Sequence, residues 1–300
     1  MSSSRKLMPL LFVSHGTPMM ATSECESTSW WQQFGEELRE SSVEGVLFIN
    51  SHWAETDDKI RVGTNADQVI ELGSFVPRQR YSDFKPAVSK PLGQRVVALL
   101  REAGFADVDE SPDAQDWADA PTTPSLWMFG GKSTPPVTTV SLNARYDPVF
   151  HVKMGRALRR LRQEGILIIA SGAIVHNIFR GNHLRLLLKN DNLQKDLSPA
   201  KWSTDFEQAI YDIITSNTGP ELAGNLVQLT QSPLYPLAHP TPDHFYPLLV
   251  LAGAFYDDEE LYGRQTARTY EMQNLVNTQY MWGHLPKTEE PAAPMATAAV

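Results

Sequence analysis

The stretch "DPVFHVKMGRALRRLRQEGILIIASG", residues 147–172, reads as a helix followed at once by a buried strand, and it sets the fold class. Asp147 is placed as a cap, Pro148 stands at the first helical position and Gly165 closes the helix. The seven residues that follow, "ILIIASG", form the clearest buried strand in the chain.

The same alternation extends in both directions. "PLLFV" (9–13) and "GVLFIN" (45–50) read as buried strands, with a helix in "WWQQFGEELRE" (30–40) between them. "PLGQRVVALLREAGF" (91–105) places apolar residues at helical spacing, "PVTTVSLN" (136–143) reads as a strand, and a further helix is expected at about 203–216. Strands and helices in alternation predict an α/β protein: a single domain with a mostly parallel central sheet flanked by helices. No internal repeat or flexible linker divides the chain, so the domain is expected to span residues 1–285. The remaining residues 286–300, "PKTEEPAAPMATAAV", are low in complexity and read as a disordered tail.

Composition excludes several functions. With 300 residues, 42% hydrophobic and 20% charged, the chain has the make-up of an ordinary soluble globular protein. A formal net charge of −9 argues against nucleic acid or an anionic membrane as partner, since both select basic surfaces. One cysteine, Cys25, permits neither an intramolecular disulfide nor a thiolate metal cluster, and suits a reducing compartment. The apolar run near the N-terminus is short and lacks a cleavage-site pattern, and no stretch reaches transmembrane length. A cytoplasmic protein is therefore expected, acting as a monomer or small homo-oligomer, since no heptad pattern is present.

The eight histidines carry the functional signal. His15 follows the first predicted strand, His52 follows the second, and His176 lies a few residues after "ILIIASG". Ligand crevices in open α/β sheets lie outside the carboxyl ends of the strands, so three strands would each deliver an imidazole to that edge. "LAHPTPDHFYPLLVLAGAF" (237–255) adds His239 and His244, five apart and bracketed by prolines. Thr241 or Asp243 is expected to cap the helix there, with Pro242 in its first turn and His244 held stiffly as a metal ligand. Asp243 has a second possible role, orienting a neighbouring imidazole. His239, on more extended chain, is expected to contact substrate or a carboxylate behind the metal site.

Taken together, "FVSHGTPM" (12–19), "INSHW" (49–53), "IIASGAIVHNI" (168–178) and "HPTPDHFYPLLVLAGA" (239–254) resemble the class III extradiol ring-cleavage dioxygenases. The nearest branch is the LigB-like DOPA 4,5-dioxygenase group, and the match runs in order over roughly residues 8 to 260. The resemblance implies that His15, His52 and His244 bind one divalent metal ion, Fe(II) or Zn(II), and that His176 is the catalytic base. His151 also matches a histidine of relatives but falls on a helix, and is read as structural.

One departure stands out. Family members commonly carry Asp-His-Gly shortly before a tryptophan, and the corresponding stretch, "DWADAPTTPSLWMF" (116–129), holds no histidine. Asp116, Asp119 and Thr123 are polar, but none is an imidazole that exchanges protons near neutral pH. The loop "ELGSFVPRQRYSDFKP" (71–86) matches only loosely, and offers Tyr81, Arg78 and Arg80 to an acidic or phenolic substrate. Two enzyme functions therefore remain open, beside a third reading as a metal-binding interaction protein without catalysis. One is an extradiol dioxygenase that opens a catechol-type aromatic with dioxygen. The other is a non-oxidative hydrolase, lyase or cyclase that uses the same three-histidine site on a phenolic or polyketide-like substrate.

Overall fold

A computed structural model describes residues 7–113, 117–130 and 134–287. Asp116 and most of the expected tail, residues 288–300, lie outside the described residues. The elements run in the order β1 (Leu10–Ser14), α1 (Glu26–Arg39), β2 (Gly45–Glu55), β3 (Lys59–Gly63), α2 (Lys90–Glu102), β4 (Asp107–Ser111), α3 (Asp119–Met128), β5 (Val137–Asn143), α4 (Pro148–Leu158) and β6 (Ile166–Gly172). They continue with α5 (His183–Lys189), α6 (Lys201–Ser216), α7 (Gly219–Leu229), α8 (Tyr235–Ala238), α9 (Tyr246–Gly253), β7 (Arg264–Glu271) and β8 (Leu275–Trp282).

The strands form one sheet in the order β4-β3-β5-β2-β6-β1-β8-β7. Its centre, β5-β2-β6-β1, is parallel throughout. Each central strand divides its side chains between two cores by simple alternation. Leu10, Phe12, Leu47, Ile49, Ile166 and Ile168 enter one core with α2, α4, α6, α7 and α9. Leu11, Val13, Val46, Phe48, Leu167 and Ile169 enter the other, against Trp31, Phe34 and Leu38 of α1 and Leu126 and Met128 of α3. Burial on both faces explains why these strands read as unbroken apolar runs.

The sheet is wider than the sequence pattern shows. Strands β3, β4, β7 and β8 were not anticipated, because their residues do not form apolar runs. In β8, Asn277, Thr278 and Gln279 are fully buried polar residues. Hydrogen bonds hold them there: Gln279 Oε1 accepts from the Ser14 N–H and from Trp31 Nε1, Thr278 donates to Glu207, and Asn277 Nδ2 donates to Glu271. Helix α3 was obscured by Pro121 and Pro124. Helix α4 ends earlier than expected, passing into a 3-10 turn at Arg159–Glu164 that stops at Gly165.

The helix after His244 starts beside Pro247, which a regular helix does not hold in its interior. Its first residue is Tyr246, with Phe245 in the cap position and no side-chain cap, so neither Thr241 nor Asp243 serves there. Pro247 then occupies the first turn, where its missing N–H has no helical acceptor to satisfy. No helix among the described residues is long and apolar enough to cross a membrane.

Candidate metal centre

Three neighbouring strands, β2, β6 and β1, end at the same edge of the sheet; His52 lies in β2, His15 follows β1, and His176 lies four positions beyond β6. His15 is the first residue beyond β1 and donates its backbone N–H to Gly172 O at 3.1 Å. His52 lies in an irregularity of β2, where the pairing with β5 jumps from Asn50 to Ala54. That bulge leaves residues 51–53 outside the ladder and re-aims His52 towards the edge. His244 arrives from a turn across the edge, where its carbonyl oxygen accepts from the Ala173 N–H at 3.0 Å. Gly172 permits this approach, because a Cβ there would lie 2.1 Å from His244 O.

The three rings converge. Their centroids are 5.0 Å apart for His15 and His52, 5.1 Å for His15 and His244, and 4.8 Å for His52 and His244. One ligand nitrogen from each lies within 4.8 Å of the other two. The contacts on the far side of each ring favour which nitrogen faces inward.

For His15, Nδ1 is 3.1 Å from Ser171 Oγ, and Ser171 spends its one proton on Ala120 O at 2.6 Å. Ser171 must therefore accept from His15 Nδ1–H, which leaves Nε2 as a bare lone pair, buried and without a hydrogen-bond partner. Ala120 O is open to Ser171 because the residue four positions on in α3 is Pro124, which has no N–H to give it. For His52, Nδ1 meets the Asp119 carboxylate at the start of α3. For His244, Nδ1 lies 2.7 Å from Asp243 Oδ2, as a charge contact and not as an aligned hydrogen bond. The Nε2 atoms of His52 and His244 then face each other at 2.9 Å.

Three inward lone pairs repel one another unless a cation or proton lies between them. Their donor type and spacing fit one divalent ion held at metal–nitrogen distances of about 2.1 Å. Electrostatics favour the neutral form for two of the three rings. Burial, then the neighbouring His52 and His244, holds His15 well below its ordinary value. Burial, then His176 and His52, does the same to His244. Burial also pulls on His52, whose side chain is 26% exposed, but the hydrogen bond and charge of Asp119 outweigh it and raise the ring. Asp119 is lowered in return: the His52 bond and charge overcome the effect of burial.

His176 stacks flat on His244, with centroids 3.4 Å apart and planes at 11°. Burial pushes it down to about 4, against the pull of Asp243. Its backbone is anchored by donation to Ala238 O at 2.9 Å. At neutral pH this imidazole is therefore uncharged, with a lone pair beside the ligand set.

Two expected substrate contacts do not fit. His239 is a core residue, 2% exposed, with Nε2 donating to Ile174 O at 2.9 Å and its ring among Phe206, Tyr235 and Phe245. Tyr81 is 5% exposed and packs in the core shared with Phe84 and Trp117, its hydroxyl 3.4 Å from Glu71. In both cases an apolar neighbourhood claims the ring. Nearby, Arg80 donates to Ala21 O at 2.6 Å and lies over Trp127, while Arg78 pairs with Glu71 at 3.6 Å. His151 is fully buried on α4, where its Nε2 accepts from the Asn143 N–H and its Nδ1 donates to Asp147 O, a structural role as expected.

Asp119, Ser171 and Pro124 carry no visible signal of their roles in the sequence. Each acts through partners distant along the chain; Asp119 and His52 are 67 positions apart.

The family model for the catalytic LigB subunit of aromatic ring-opening dioxygenases matches residues 9–281. The chain belongs to the LigB family. Its relatives include a 4,5-DOPA dioxygenase extradiol of Escherichia coli K12, 30% identical over 263 residues, covering 87% of this chain and 89% of that protein. Another, with the same description, comes from Beta vulgaris and is 28% identical over 255 residues, covering 85% and 89% of the two chains. The crystal structure of an uncharacterized Escherichia coli K12 protein superposes with a TM-score of 0.70 at 26% identity, covering 92% of this chain and all of that one. The LigB-family chain is thus an enzyme of an oxidoreductase family, and its mostly parallel sheet with flanking helices is the LigB fold.

Proposed function

We propose that this LigB-family protein is a metal-dependent extradiol dioxygenase that opens a catechol-type aromatic ring, in the manner of DOPA dioxygenases. The observation that carries the reading is the meeting of three imidazoles whose outer nitrogens are all occupied or charge-paired, so that Nε2 of each is left to bind an ion. Three neutral protein ligands leave coordination positions open, as catalytic sites require and structural sites do not. Bound there, Fe(II) supplies the electron transfer that dioxygen activation needs, which redox-inert Zn(II) does not.

The protein's own groups divide the remaining work. His15, His52 and His244 hold the ion, and Asp119, Ser171 and Asp243 fix their tautomers and charge. His176, neutral and stacked beside His244, takes a proton from a substrate hydroxyl as the catechol binds. DOPA and simpler catechols are the first substrates to try.

One observation favours a second reading. The stretch that carries Asp-His-Gly in relatives here spends Asp119 on His52 and the Ala120 carbonyl on Ser171, and brings no imidazole of its own. His176 is then left as the proton-transfer imidazole beside the three ligands. A hydrolase, lyase or cyclase acting on a phenolic or polyketide-like substrate needs no more than that.

Oxygen uptake separates the two. The protein, purified without metal under anaerobic conditions, is loaded with Fe(II) or Zn(II) and offered a panel of catechols that includes DOPA. Oxygen consumption with Fe(II) alone, with a yellow ring-opened product, is expected. No uptake with any catechol, combined with stoichiometric zinc in protein isolated from cells, overturns the dioxygenase reading.

A further inference from the structure

Beyond the histidines and their direct partners, a single buried carboxylate holds the loop beside the centre. Glu271, the last residue of β7, is completely buried. Strand β7 is antiparallel to β8, and β8 to β1, so β7 and β1 end at the same edge of the sheet. Glu271 therefore reaches the loop leaving β1 from two strands away. Its Oε2 accepts from the Thr17 backbone N–H at 2.8 Å and from Asn277 Nδ2 at 2.6 Å. Its Oε1 accepts from Thr17 Oγ1 at 2.7 Å and from Asn192 Nδ2 at 2.7 Å.

Two of these four donors belong to one residue, placed two positions after His15. Between them stands Gly16, with φ +70, a left-handed conformation that glycine adopts without strain. A Cβ on Gly16 would lie 2.2 Å from Glu271 Oε2, so the loop rests directly on the carboxylate. Upstream, His15 is fixed by β1 and by its N–H to Gly172 O; its ring is fixed by Ser171. Downstream, the glycine would leave the chain free to swing, and Glu271 removes that freedom by holding both polar groups of Thr17. An apolar side chain could fill the same space without the desolvation cost of a carboxylate. What it could not do is hold the Thr17 N–H and hydroxyl at fixed positions.

We propose that Glu271 is a positioning residue for the metal ligand His15, clamping the Gly16–Thr17 turn so that His15 Nε2 stays aimed at the point shared with His52 and His244. The proposal rests on the metal-centre reading above. Glu271→Gln places an amide NH2 where donors already converge, so the clamp opens while the volume is kept. Thr17→Val is a milder second variant that removes the hydroxyl and leaves the backbone N–H in place.

The test uses full-length apoprotein and Co(II) as the probe, read by its visible absorption spectrum and by titration, with melting of the apo forms in parallel. Wild-type protein is expected to bind one Co(II) per chain. Glu271→Gln is expected to lose about 10–100-fold in Co(II) affinity. Its Co(II) spectrum should also change, reporting altered ligation. Thr17→Val should lose about tenfold, the lower end for one hydrogen bond to a charged group. Should Glu271→Gln fail to fold, the Thr17→Val affinity and spectrum decide. A purely structural role predicts lower melting temperatures with Co(II) affinity and spectrum unchanged in the folded molecules, and that result overturns the proposal. Failure of the wild-type protein to bind Co(II) instead overturns the metal centre itself, so the two failures are distinct.

Discussion

The hydroxyl of Ser171 donates to the carbonyl oxygen of Ala120 at 2.6 Å, an acceptor that a helical N–H would occupy if Pro124 had one to give. A proline inside a helix thereby sets the protonation pattern of a metal ligand. With its proton committed to Ala120, Ser171 can only accept from His15 Nδ1, and the lone pair of His15 is turned inward.

Ser171→Ala leaves both Ala120 O and His15 Nδ1 buried without this partner. Metal affinity is expected to fall by about 10-fold, the lower end for partners of metal-bound imidazoles. Stability should fall by about 1–3 kcal/mol, the cost of unmet buried polar groups. Metal titration and urea unfolding of the apoprotein measure the two effects separately.

The four central histidines should separate into two classes. His15→Ala, His52→Ala and His244→Ala are each expected to yield protein that no longer retains a stoichiometric metal ion after dialysis. His176→Ala should keep its metal and lose about 10²–10⁴-fold in turnover, the usual contribution of a general base. Metal analysis beside rate measurements checks this, and loss of metal from His176→Ala contradicts its assignment as base.

Asp119 is expected to matter through charge as well as through its hydrogen bond. Asp119→Ala removes both and should weaken metal binding by about 10–100-fold. Asp119→Asn keeps an acceptor for His52 Nδ1–H, so its loss should be smaller. Equal losses in the two variants, measured by competition with a chromophoric chelator, would show that charge alone sets the effect.

His151 predicts an acid-labile core. Burial pushes it down to about 4, against the opposing pull of Asp147, while the unfolded chain titrates at an ordinary 6.5. Below pH 6.5 the unfolded state therefore binds the extra proton, and stability falls with pH until the folded state titrates near 4. The His151 contribution to that loss is about 2 kcal/mol between pH 8 and pH 5. The buried Asn143 N–H gives the reason: it needs the bare Nε2 that protonation would remove. Urea unfolding of wild type and His151→Gln at pH 8 and 5 should show a steeper loss in the wild type. Parallel pH dependences would refute the assignment.

Much of the centre is legible in the sequence. His15, His52 and His176 announce themselves because strands buried on both faces are continuous apolar runs, and each of these residues follows or closes such a run. The pair in "HPTPDH" was harder, since both histidines sit beside proline in similar surroundings. Only packing separates them: the rings of Phe206, Tyr235 and Phe245 enclose His239, whereas the absence of a Cβ on Gly172 lets the backbone of His244 reach the sheet edge. Polar strands such as β8 escaped detection because hydrogen bonding, not hydrophobicity, buries Asn277 and Gln279.

By itself the sequence determined the alternating parallel architecture, the strand ends that carry imidazoles and the family resemblance that joins them. Local pattern is enough for this, because burial and helical period are properties of neighbouring residues. The tertiary structure alone decided that β2, β6 and β1 lie side by side, that Asp119 and Ser171 back two of the ligands, and that Glu271 grips the turn after His15. Strand order and long-range hydrogen bonds depend on groups tens to hundreds of positions apart, and nothing in a residue's own neighbourhood records which distant partner will meet it.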